Sequence, residues 1–174
     1  MSLGRKDETF PAELLARAAQ VKLFLTDVDG CWTDGSVRVH EDGGESVQFH
    51  IHDGYGVVQA LRAGLEIAIV SGRASEAVRF RVSRLGIKEI HLGVEDKAVV
   101  ARRLVAARGL AREQVAAIGD DLPDLPLFEH AGLRLAPPGA IAEIRERADW
   151  VTRAPGGAGA LREACALLLA ARAS

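Results

Sequence analysis

The sequence predicts a three-layer α/β fold: a parallel sheet flanked by helices on both faces, in a single domain covering residues 1–174. Two observations predict it. Short segments that are apolar throughout alternate with segments of helical periodicity, as expected of strands covered on both faces by crossover helices. Acidic or hydroxyl residues and glycine then follow the apolar segments directly, where an open parallel sheet carries its site. A chain of 174 residues, 48% hydrophobic and 26% charged, is long enough to bury one full core. Its net charge of −2, with Lys and Arg spread along the chain, leaves no electrostatic footprint for nucleic acid or an anionic membrane. No apolar run approaches the ~18 residues of a membrane span, and no signal-peptide core opens the chain, so a cytoplasmic protein is expected. Cys31 and Cys165 lie far apart and read as reduced thiols.

A helical pattern at Pro11–Ala19 has no assigned role. The first strand is expected over 22–27, in Val21-Lys22-Leu23-Phe24-Leu25-Thr26, and it runs into Asp27-Val28-Asp29-Gly30. Two carboxylates one residue apart, where a buried strand meets a glycine turn, need a cation or strong donors around them. A phosphoryl-transfer site supplies both, with Asp27 as nucleophile and Asp29 as acid and base. Turns and calcium loops also use Asp-x-Asp-Gly, so the pair alone leaves that alternative open. The next segment breaks the alternation. From Gly35 to His52, Val37, Val39, Val47, Phe49 and Ile51 recur at period two around Asp42-Gly43-Gly44, which predicts an inserted β-hairpin over 35–52. A lone hairpin is marginal in water; a partner subunit is the expected remedy, with packing on its own domain as the alternative.

Further strands are expected near 66–71, 88–92, 115–118, 133–135 and 149–151, and helices near 54–63, 74–85, 96–108, 123–130, 139–146 and 159–171. Ser71-Gly72-Arg73 ends the second core strand; its hydroxyl can donate to a phosphate oxygen, or it can simply cap the following helix. Lys97 opens a helix, where a lysine is usually solvated; beside a nucleophile it would neutralise phosphate charge. Gly119-Asp120-Asp121-Leu122-Pro123-Asp124 adds a second acidic cluster at a strand end. With Asp27 it makes a set of hard oxygen ligands suited to Mg²⁺, while Asp124 reads as a helix cap.

The order Asp-x-Asp, Ser-Gly-Arg, Lys, Gly-Asp-Asp resembles the four motifs of the haloacid dehalogenase (HAD) superfamily of phosphotransferases. The resemblance implies that Asp27 is phosphorylated and Asp29 is the acid/base. It implies that Ser71 and Lys97, with Gly30 and Gly72, bind the phosphoryl group. Asp27, Asp29 (through its backbone carbonyl) and Asp120, supported by Asp121, would hold Mg²⁺. Thr33-Asp34-Gly35, Asp53-Gly54-Tyr55-Gly56, Leu85-Gly86-Ile87 and Gly156-Gly157 extend the likeness to the 3-deoxy-D-manno-octulosonate 8-phosphate (KDO 8-phosphate) phosphatases, over about Val21 to Leu168. That family implies a capless Rossmann-like core, Mg²⁺ as cofactor, a place in lipopolysaccharide precursor biosynthesis, and a homotetramer assembled through the inserted hairpins.

Substrate contacts implied by the likeness are Arg73, Arg81, Thr33, Asp34 and His52. A guanidinium at Arg73 suits a substrate carboxylate and favours the eight-carbon branch over the related phosphatases of nine-carbon 2-keto-3-deoxy sugar acid 9-phosphates. Arg81 lies two helical turns beyond it. His50 and His52 could line the mouth or meet a neighbour, but read more simply as structural. Two departures stand out: His52 and Ala158 occupy positions where the family often carries arginine. Rival classes, a phospho-receiver domain or an idle assembly domain, fit less well, because a receiver carries its acidic pair on the first strand and its phospho-acceptor on a later one.

Overall fold

The computed structural model describes residues 10–172. Six strands form one parallel sheet: β1 (Leu23–Thr26), β4 (Glu66–Ser71), β5 (Glu89–Leu92), β6 (Val115–Ile118), β7 (Leu133–Ala136) and β8 (Trp150–Val151), in the order β5-β4-β1-β6-β7-β8. Seven helices are described: α1 (Ala12–Ala18), α2 (Ile51–Arg62), α3 (Glu76–Arg84), α4 (Lys97–Ala107), α5 (Leu125–Glu129), α6 (Ala142–Arg147) and α7 (Ala160–Ala170). The three-layer expectation and the six core strands hold, with ends shifted by a residue or so.

The layers follow from side-chain alternation along strands that are apolar on both sides. Phe24, Ile67, Ile69, Ala116, Ile118, Leu133 and Leu135 face one core, closed by Leu14 of α1, Val57 and Ala60 of α2, Val78 and Val82 of α3, and Leu161, Ala164, Cys165 and Leu168 of α7. Their neighbours Leu23, Leu25, Ala68, Val70, Val115 and Ala117 face the other, closed by Val100 and Leu104 of α4, Leu127 and Phe128 of α5, and Ile144 of α6. Each large apolar side chain so buried contributes about 1.5–3 kcal/mol before the cost of ordering it.

β1 pairs with β4 on one side and β6 on the other, so the connections run in opposite directions from the central strand. That reversal opens a crevice at the carboxyl ends of β1, β4 and β6. Those ends deliver Asp27, Ser71 and Gly119-Asp120.

The hairpin is shorter than expected. Only Arg38–Val39 (β2) and Glu45–Ser46 (β3) pair, in an antiparallel ribbon separate from the main sheet. Gly43, at φ +81°, makes the turn, closed by the bond from His40 N to Gly44 O. Beyond it the chain turns toward its own core. Val47 and Phe49 are partly buried against the α1/α2/α3/α7 side, with Phe49 edge-on to Trp32 at 6.4 Å. Ile51 and His52 belong to the first turn of α2, not to a strand. Packing on its own domain thus holds for Phe49, whereas Val39 is 67% exposed and Ile51 78%.

Candidate active site

The loop after β1 is built to present two aspartates. Asp27 N donates to Ile118 O, extending the β1–β6 ladder by one residue and fixing the Asp27 backbone. Val28 is fully buried, and its carbonyl accepts from Cys31, Trp32 and Thr33, which folds the loop back on itself. Trp32 is buried beneath and donates Nε1–H to Thr26 Oγ1. Gly30 is required here. It sits at φ +78°, and a β-carbon on it would lie 1.9 Å from Asp120 Oδ2, so Asp120 crosses directly over it. Gly156 explains its own motif as well, because its missing β-carbon would meet Gly30 O at 1.7 Å. The Gly156-Gly157 turn therefore packs on the loop that follows β1, with Gly157 N bonded to Cys31 O.

Lys97, buried as the first residue of α4, places Nζ 2.5 Å from Asp27 Oδ1 and 2.5 Å from Asp124 Oδ1. The lysine is therefore not solvated. Asp96 caps α4 through Ala98 N, which aims Lys97 inward from the first turn. Asp124 does more than the cap expected of it. Its Oδ2 accepts from Asp120 N and Asp121 N, which does cap the short 3₁₀ turn Leu122–Asp124, but its Oδ1 holds Lys97. Asp121, expected to support the metal, instead points out and accepts from Leu122 N. The buried carboxylate beside Asp27 and Asp120 is Asp124.

This crowding shows in the electrostatics. Burial pushes the Asp27 carboxyl up to about 8, with the Asp124 charge adding to it and Lys97 opposing. Burial likewise raises Asp120 to about 7, helped by the charges of Asp124 and Asp121. Burial alone would lower Lys97, but Asp27 and Asp124 outweigh it and raise its pKa. Lys97 bonds two of these carboxylates, Asp27 and Asp124, with Asp120 beside them, and a hard divalent cation suits such an excess of acidic oxygens. Asp27, Cys31 and Asp120 offer ligand atoms within 4.8 Å of one another. The Cys31 thiol, fully buried and raised well above its usual range by burial, is a neighbour the sequence did not flag.

Asp29 stands at the rim. Arg73 grips it with two bonds, Nε to Oδ2 at 3.1 Å and Nη2 to Oδ1 at 3.0 Å, and gives Nη1 to Glu45 Oε2 of the hairpin at 2.7 Å. Ser71, at the tip of β4, is buried; its Oγ accepts from Arg73 N at 3.3 Å, while α3 is capped by Ser75 and not by Ser71. Gly72 leaves room beneath the Val94 carbonyl, which lies 3.6 Å from where a β-carbon would be.

The remaining expected residues lie elsewhere. Thr33 is fully buried and its Oγ1 accepts from Gly35 N, while Asp34 is exposed and accepts from Ser36 N. Both shape the loop, and Thr33 in particular is framework where a substrate contact was expected. His52 is exposed in α2 with its ring 4.9 Å from His50, and has no bond to the Asp27 cluster. Arg81 lies over Gly54, its Nη2 only 2.7 Å from where a β-carbon would be. Asp53 takes an unforeseen role: buried in α2, it accepts from Gly159 N and Arg162 N and caps α7. Arg162 in turn covers the Tyr55 ring at 5.2 Å. The Asp53-Gly54-Tyr55-Gly56 motif thus joins α2 to α7, behind the Gly156-Gly157 turn.

Known proteins match this arrangement. The sequence model of the haloacid dehalogenase-like hydrolases matches residues 90–160, which include Lys97 and Asp120. The 3-deoxy-D-manno-octulosonate 8-phosphate phosphatase KdsC of Escherichia coli K12 is 40% identical over 161 residues, 92% of this chain and 86% of that protein. The crystal structure of the Yersinia pestis phosphatase of that name superposes with a TM-score of 0.90 at 37% identity, covering 93% of this chain and 88% of the other. The Moraxella catarrhalis phosphatase, solved in complex with a magnesium ion, a phosphate ion and a KDO molecule, gives 0.89 at 37% identity and 92% of each chain. With the Asp27–Lys97–Asp120 cluster at the sheet's crevice and this likeness over nine-tenths of its length, the chain belongs to the KDO 8-phosphate phosphatase family of the haloacid dehalogenase-like hydrolases.

Proposed function

We propose that this chain is a Mg²⁺-dependent phosphomonoesterase that converts KDO 8-phosphate to KDO and inorganic phosphate, a step in making lipopolysaccharide precursors. The observation that carries this reading is Lys97 bridging Asp27 and Asp124 at the crevice, with Asp29 two residues on and free of that cluster. Lys97 holds Oδ1 of Asp27, which orients Oδ2 to attack phosphorus in line. As the bond from phosphorus to the sugar oxygen breaks, Asp29 gives that oxygen a proton. An aspartyl-phosphate on Asp27 remains. Asp29 then takes a proton from water, the water oxygen attacks phosphorus, and Asp27 is released with inorganic phosphate. Ser71, Lys97 and the backbone at Gly30 and Gly72 hold the equatorial oxygens. Asp27, Asp120 and the Asp29 carbonyl would hold Mg²⁺, which screens the repulsion between an anionic nucleophile and an anionic phosphate.

Arg73 faces the substrate carboxylate, and Arg81 is a second, more distant contact. Exposed Val39 on the hairpin, with exposed Ile51 at the start of α2, supports a homotetramer formed through this side of the molecule. We read the chain as one domain of a cytoplasmic enzyme; among its described residues no helix is long and apolar enough to cross a membrane. The test is phosphate release from KDO 8-phosphate and from nine-carbon 9-phosphates, with and without Mg²⁺. Mg²⁺-dependent preference for the eight-carbon acid, lost in Asp27→Asn, is the expected result. Preference for the nine-carbon acid would keep the chemistry and overturn the role of Arg73. Light scattering that returned a monomer at micromolar concentration would overturn the tetramer.

A further inference from the structure

We propose that Glu45 of the hairpin is a displaceable stand-in for the substrate's carboxylate on Arg73, latching the hairpin to the site's rim until an anionic sugar phosphate takes its place. The inference rests on the reading of Arg73 given above. A guanidinium presents two edges that can hold a carboxylate with paired N–H groups. On Arg73 the Nε–Nη2 edge is taken by Asp29, at 3.1 and 3.0 Å. The other edge, Nη1–Nη2, is the one left for a second carboxylate, and Glu45 Oε2 already sits on Nη1 at 2.7 Å. A substrate carboxylate seeking a bidentate grip on Arg73 must therefore displace one of the two.

Their surroundings decide which. Asp29 follows directly on the buried Asp27-Val28 segment, whose backbone is fixed by the β1–β6 ladder and by three bonds to Val28 O. Glu45 stands on a two-residue strand whose side chains are all exposed, and its own side chain is 49% open to solvent against 30% for Asp29. A half-exposed ion pair is weak and readily replaced by an equivalent anion from solution. The exchange also has a conformational consequence. The Arg73–Glu45 pair ties the hairpin ribbon directly to the β4–α3 turn, so its loss frees the ribbon from Arg73 as substrate arrives.

Removing the competing charge gives the test. In the Mg²⁺-loaded enzyme, Glu45→Gln should lower KM for KDO 8-phosphate roughly two- to five-fold at unchanged kcat, the range expected for losing one exposed ion-pair competitor. Product inhibition separates the cause: the inhibition constant for KDO, which bears the carboxylate, should fall by the same factor, while that for inorganic phosphate stays put. An unchanged or raised KM, or equal shifts for KDO and phosphate, would overturn the latch. Arg73→Ala serves as the companion variant and should raise KM for KDO 8-phosphate and abolish the gain from Glu45→Gln. If Arg73→Ala raises KM but Glu45→Gln does nothing, the latch alone fails. If Arg73→Ala leaves KM unchanged, the role of Arg73 fails and the latch with it.

Discussion

Around Asp27, the side chains of Asp27, Lys97 and Asp124 are 8%, 5% and 2% exposed and bond at 2.5 Å. Around Asp29, two residues along the same loop, Arg73 is shared with Glu45 among side chains that are 26–49% exposed. The same kinds of charge are paired in both places, and the solvent makes them different devices. The buried group cannot exchange partners with water, so its geometry is preset and losing one member strands the others. The rim group can trade one anion for another at little cost, which suits recognition. In the proposed reading, the attacking carboxylate sits in the buried group, while the acid/base Asp29 and the substrate-facing Arg73 share the looser rim.

Four measurements would sharpen or break that contrast, taken from the largest effect down. Asp27→Asn keeps the shape of the buried cluster but removes the proposed nucleophile, so turnover should fall by roughly three orders of magnitude or more with the fold intact by circular dichroism. Residual turnover above about a tenth of wild type would remove Asp27 from its role. Lys97→Met leaves Asp27 and Asp124 buried without their cation and should cost about 3 kcal/mol or more, a Tm lowered by roughly 6–12 °C. A Tm within a degree or two of wild type would mean that the cluster is wetter than its burial implies.

The third is pH. Asp27 and Asp120 are raised from 3.8 to about 8 and about 7, so between those limits the folded protein holds protons that the unfolded chain has released. Stability from these groups is therefore greatest at low pH and is lost as pH rises through about 7 and 8. In EDTA, the Tm of wild type relative to Asp27→Asn should fall from about pH 5 to about pH 8; Mg²⁺, which prefers the ionised carboxylates, should flatten that fall. Parallel curves with and without metal would speak against a cation held at Asp27. The smallest effect is the exposed pair of Arg108 and Glu66, at 2.7 Å, where Arg108→Ala should change stability by less than about 1 kcal/mol in a denaturant melt. A larger loss there would erase the line drawn between buried and exposed pairs.

Much of the site was legible because parallel strands hide both faces, so a polar residue directly after an apolar run has to lie at the sheet's edge. Asp27, Ser71 and Asp120 all follow that rule. Asp124 was legible only in part, because a helix-capping aspartate and an aspartate holding a buried lysine look alike in sequence; here one carboxylate does both. Asp53 stands in a sequence motif that assigns it no role, since its partners Gly159 and Arg162 are over a hundred residues away. The sequence pattern overstates the hairpin because Val47, Phe49 and Ile51 keep period two past the last paired residue, Ser46, and nothing local distinguishes a strand from an extended segment leading into a helix.

By itself, then, the sequence determined the order of strands and helices, the strand ends that bear Asp27, Ser71 and Asp120, and the family likeness, since all of these depend on periodicity and on residues near one another in the chain. Only the tertiary structure decided that Lys97 is shared by Asp27 and Asp124, that Asp120 crosses Gly30 while Gly156 packs against it, and that Glu45 occupies Arg73. Those facts depend on distances between distant segments and on which charges lose their water. Burial and through-space charge are properties of the packed molecule, and no spacing along the chain encodes them.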